Sequence, residues 1–169
     1  MASGSWMDQP VVVANNTFAD SPYAMGIGSR GTYAPTNTGF DVVNNMFLHH
    51  RRFVHSIDAP QILQGNARID SNLYYLNGYE AWPQHTPGVM AGNVTGSGYR
   101  ELPTLADVRA TISQEAHGVE GDPALASYDP SVTDGKWQDF RLTPASALAL
   151  DRGVELPASL QALLAKFGI

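Results

Sequence analysis

Apolar positions in the first half of the chain recur in short blocks rather than along a continuous helical stripe. Val11, Val13 and Phe18 form one block, Phe40, Val42 and Phe47 a second, and Ala67, Ile69 and Tyr74 a third. In each, the apolar residues stand five before, three before and two after an asparagine: Asn16, Asn45 and Asn72. These asparagines are 29 and 27 residues apart, a period that points to stacked repeats. The first two offsets share one face of a strand, because side chains alternate with period two. The third has the opposite parity, so a residue between them must leave the β region. Asparagine adopts the left-handed conformation more readily than other non-glycine residues. The pattern predicts strand, Asn corner, strand, with all three apolar groups on one side.

Stacking of such units predicts an inner column of Phe18, Phe47 and Tyr74, and a second of Asn16, Asn45 and Asn72 with amides bonding from layer to layer. Residues 23–27 and 53–57 are the expected companion strands. The Gly-, Pro-, Asn- and Thr-rich stretch 31–39 is expected to bulge from the stack.

The period ends near residue 98. Residues 102–116 read as a helix, with Thr104 as N-cap, Asp107 three residues on, and Leu105, Val108 and Ile112 as its apolar stripe. Gly118 suits its end. Residues 157–167 read as a second helix, with Leu160, Leu163, Leu164 and Phe167 at helical spacing, expected to cap the open end of the core.

Composition narrows the function classes. The 169 residues suit one domain, and the hydrophobic share is 43%, too apolar for a disordered chain. Charged residues make up 15%, below the usual level of about 25%. A net charge of −6 argues against a nucleic-acid surface, which needs a basic stripe. No apolar run approaches the length of a membrane span. The absence of cysteine excludes disulfides and thiol catalysis. Residues 1–10 lack a signal-peptide pattern and read as a tag or disordered lead. Residues 11–156 read as repeats with a closing segment, and 157–169 as the cap.

With these repeats the chain resembles the right-handed parallel β-helix families of pectate lyases, alginate lyases and related polysaccharide-acting proteins. Their common ending is similar to Gly121-Asp122-Pro123-Ala124-Leu125, Asp139-Phe140-Arg141-Leu142 with Pro144 and Ser146, and Leu150-Asp151-Arg152-Gly153. One extra residue stands between Ser146 and Asp151. The resemblance implies an all-β fold, a short right-handed parallel β-helix solenoid with a C-terminal capping helix. It also implies a secreted or extracellular setting and a polysaccharide partner, as the distal part of a lyase or glycoside hydrolase. Asp122, Asp139 and Asp151 read as turn and capping residues. Nothing before Val11 serves as a cap, so end-to-end association through the first repeat, as a homo-oligomer, is expected. A non-catalytic structural or assembly module is the competing reading.

Lyases of this shape pair a basic residue, which abstracts a proton beside a carboxylate, with a neutralising charge, often calcium. The densest polar cluster is His49-His50-Arg51-Arg52, with His55 close behind. Arg52, His55 and Glu80 are the candidate catalytic groups. Arg30 and Arg51 are candidates for binding an acidic sugar, and Tyr79 and Trp82 for stacking on a pyranose ring. No acidic segment has calcium-loop spacing, and His-His-Arg-Arg matches no metal-ligand pattern, so no cofactor is assigned. Gly26-Ile27-Gly28-Ser29-Arg30-Gly31 resembles a dinucleotide loop but opens no helix, since Thr32, Tyr33 and Pro35 follow.

Overall fold

A computed structural model describes residues 11–21, 23–27, 40–50, 52–57, 67–76, 87–129, 138–150, 152–156 and 158–166. Each repeat forms two strands across a corner. They are β1 (Val11–Ala14) and β2 (Thr17–Ala19), β4 (Phe40–Val43) and β5 (Met46–Leu48), and β7 (Ala67–Asp70) and β8 (Leu73–Tyr75). Companion strands follow as β3 (Met25–Ile27), β6 (Phe53–Ile57) and β9 (Gly88–Gly92). Parallel pairing aligns Val11 with Phe40 and Phe40 with Ala67. The same register aligns Phe18 with Phe47 and Phe47 with Tyr74.

The corner differs from expectation by one residue. The left-handed positions are Asn15 (φ 59), Asn44 (φ 58) and Ser71 (φ 56), each just ahead of the aligned asparagine. That leaves Asn16, Asn45 and Asn72 extended enough to aim their amides along the stack. Asn45 Nδ2 donates to Asn72 Oδ1 at 3.0 Å, and Asn16 Nδ2 to Asn45 Oδ1 at 3.2 Å. Beside this row, Phe18 stacks on Phe47 and Phe47 on Tyr74, each pair with centroids 5.2 Å apart.

The expected right-handed parallel β-helix requires correction. The described strands form four small sheets, and no closed solenoid is traced. One parallel sheet holds β1, β4 and β7. The second holds β2, β5, β8 and β11 (Val119–Glu120). In the third, parallel β3, β6 and β9 end on the antiparallel β10 (Arg100–Leu102). The fourth is an antiparallel pair, β12 (Leu125–Ser127) and β13 (Asp139–Leu142). Gly92, at φ +127, is what lets the chain double back. A side chain there would overlap the Ile57 carbonyl, so glycine also permits β9 to approach β6.

The first helix packs into the core. Helix α1 (Leu105–Ile112) starts at a capping box: the Thr104 hydroxyl accepts from Asp107 N–H, and Asp107 accepts from the Thr104 backbone. It ends at Ser113 in the left-handed conformation rather than at Gly118. Leu105 and Val108 are buried in the core with Ile69, Val89 and Leu102. Helix α2 (Ala158–Lys166) exposes Ala158, Gln161, Ala162, Ala165 and Lys166, while Leu164 of its apolar stripe is half-buried.

Candidate functional site

Arg52 stands just ahead of β6, and Tyr23 lies two residues ahead of β3. Parallel pairing of those strands brings the two together, although 29 residues separate them. Arg52 Nη1 donates to the Tyr23 hydroxyl at 2.5 Å, and its guanidinium carbon lies 5.4 Å from the Tyr23 ring centroid. Tyr99, just ahead of β10, leans on Glu101, with its hydroxyl 3.5 Å from Glu101 Oε1. Burial and then the Glu101 carboxylate raise the Tyr99 hydroxyl above its ordinary value, while nearby Arg52 pulls it down. Tyr23 and Tyr99 are 43% and 67% exposed, so both rings offer a face to solvent. Between these groups, Gly26, Ser56, Ala91 and Glu101 stand in register across four strands. Gly26 borders open space.

The remaining candidates separate. His55 is fully buried, on the inner side of β6. Burial pushes its imidazole down from 6.5 to about 3, so it is neutral. Its Nε2 lies 2.8 Å from the Tyr74 hydroxyl, and that hydroxyl lies 2.5 Å from Glu115 Oε1. Tyr74 thus bridges the imidazole and the carboxyl, and His55 Nδ1 has no hydrogen-bond partner. No described surface opens onto this ring. His49 and His50 are also fully buried: His49 packs against Tyr75 and Tyr128, and the His50 nitrogens face the carbonyls of Ser21 and Phe18. The expected basic corner is thus largely core. Arg30, Arg51, Tyr79, Glu80 and Trp82 lie outside the described residues.

Sequence reasoning passed over Glu115, the buried carboxyl at the end of the asparagine row. It accepts from Asn72 Nδ2 at 2.6 Å and from Asn72 N–H at 3.4 Å. Burial raises it from 4.5 to about 7, against the hydrogen bonds from Tyr74 and Asn72. The nearby Arg109 guanidinium donates instead to the backbone carbonyls of Glu115 and Gly118. Any side chain at Gly118 would collide with Glu115 Oε2. The available signal was a lone glutamate beside a helix end, which carries nothing without the fold.

A cleft of about 280 Å³ lies on the outer side of β2, β5 and β8, under residues 142–153. Asn15, Thr17, Ser71 and Arg152 supply its polar groups, and Met46 and Leu73 its apolar floor. Its tail-side wall is fixed by Asn44, whose amide donates to the Val154 carbonyl and accepts from the Val154 N–H, both at 2.8 Å. Of the described sequence-nominated residues, neither Arg52 nor His55 lines it. Among the described residues, no group of three or more His, Cys, Asp or Glu side chains could hold a metal ion. No family model, curated protein or solved structure matches the chain.

Proposed function

We propose that this protein engages acidic glycans through the surface formed by Tyr23, Arg52 and Tyr99. The observation carrying this reading is a guanidinium set against the exposed Tyr23 ring, with a second exposed tyrosine, Tyr99, near enough to feel its charge. Arginine presents a planar fork of donors that matches a carboxylate. Tyrosine rings give an apolar face for the C–H side of a pyranose and a hydroxyl for its rim. Glu101 adds an acceptor for sugar hydroxyls at one edge. The reading requires no proton transfer by the buried His55.

Calorimetric titration with polygalacturonate, alginate and a neutral glucan tests it. An acidic polymer is expected to bind, the neutral one to bind more weakly. Arg52→Ala and Tyr99→Ala are each expected to weaken acidic binding about tenfold, a loss of about 1.4 kcal/mol. Absence of heat with every polymer, or unaltered affinity in both variants, would sink the proposal.

A further inference from the structure

The asparagine row has a direction. Asn16 Nδ2 bonds two acceptors, the Ala14 carbonyl at 2.9 Å and Asn45 Oδ1 at 3.2 Å. Those partners fix which end of the amide is nitrogen, so Asn16 Oδ1 points outward as an acceptor. Asn45 and Asn72 repeat the arrangement: each Oδ1 accepts both the backbone N–H and the Nδ2 of the asparagine in the layer before. At the far end, Glu115 accepts both donors of Asn72. Gln114 seals the β7 edge there, accepting from Ile69 N–H and donating to the Ala67 carbonyl. β11 covers β8, and β10 covers β9.

The near end is different. β1, β2 and β3 are each the last strand of their sheet among the described residues. Val11 is 39% exposed, and Val13 and Phe18 are half-buried. Their equivalents Val42 and Phe47 are fully buried. An open parallel edge with apolar residues is a template for strand addition. What can add is restricted by the row's polarity: the newcomer must bring donors.

We propose that this edge binds an extended strand of another polypeptide, running parallel to β1 and β2 and placing an asparagine over Asn16. The newcomer's backbone N–H and side-chain amide would both donate to Asn16 Oδ1. Apolar side chains five and three before that asparagine would cover Val11 and Val13, and one two after it would cover Phe18. Among the described residues a second copy offers no such strand: meeting two-fold, it sets one Asn16 oxygen against the other, and its far end is closed by the Glu115 carboxylate.

The probe is a labelled peptide with the sequence of residues 40–48, flanked by lysines, titrated into the full chain by fluorescence anisotropy. Saturable binding is expected, with amide exchange slowed at Thr17 and Ala19, whose N–H groups face away from β5. A peptide with its second asparagine replaced (Asn45→Leu in this numbering) is expected to bind about tenfold more weakly. The substitution lies in the peptide, so the fold of the protein is untouched. Equal binding of both peptides, no saturable binding, or a dimeric mass by light scattering that excludes the peptide would each overturn the proposal.

Discussion

The two buried titratable groups that share Tyr74 pull stability in opposite directions with pH. Glu115 is raised to about 7 from 4.5. Between those values the folded chain holds a proton that the unfolded chain has released. The stabilisation from Glu115 is therefore complete below about 4.5 and fades as pH rises through about 7. His55 is lowered to about 3 from 6.5, so its contribution is present above 6.5 and is lost as pH falls toward 3. The two offset over the window they share. Glu115→Gln separates them, because glutamine keeps an oxygen for Asn72 and Tyr74 without titrating. In urea unfolding, the stability of wild type relative to Glu115→Gln is expected to drop by on the order of 3 kcal/mol from below the ordinary carboxyl value to slightly alkaline pH. A difference that is flat in pH would contradict the assignment.

At the scale of the strands, hydrogen bonds along the stack are unequal in worth because burial is unequal. Asn45 is buried and bonds the Val13 and Val43 carbonyls as well as Asn72, while accepting from Asn16. Asn16 is exposed, and water can replace its partners. Asn45→Ala strands several buried groups at once and is expected to cost about 3 kcal/mol, whereas Asn16→Ala is expected to cost about 1 kcal/mol. Denaturant midpoints of the two variants, compared at a common slope, give the answer. Equal losses would mean that the row is not a graded, burial-dependent element.

The whole molecule is tied together by contacts far apart in sequence. Asn44 bonds Val154 across 110 residues, pinning the closing segment over the outer side of the second sheet and shaping the cleft beneath it. Asn44→Gly removes both bonds and keeps the left-handed corner that Asn44 occupies. Exchange at the Val154 amide is expected to speed about tenfold or more while the β4–β7 amides keep their protection. Parallel acceleration in both places would show that the segment and the sheets open as one unit.

How much of this was legible depends on range. Strand positions, the three-layer register, the aromatic column and the N-cap at Thr104 follow from local spacing, because side-chain alternation and capping act over a few residues. The exact corner residue was displaced by one, since both asparagines of the first two pairs suit a left-handed turn and only backbone geometry chooses; in the third repeat Ser71 takes the corner. The closed helical solenoid was misread, because the antiparallel β10 and β13 are decided by what packs on what. The same holds for the candidate surface. Arg52 was nominated from its neighbours in sequence, but its partners Tyr23 and Tyr99 come from other layers.

The sequence by itself determined a repeating strand–corner–strand unit and its inward side chains, since hydrophobic alternation and the conformational preferences of asparagine are properties of short segments. Only the tertiary structure decided which end of the stack is sealed, where a carboxyl loses its water, and which aromatic rings meet Arg52. Those outcomes depend on burial and on contacts between distant residues, and desolvation has no local signature in the chain.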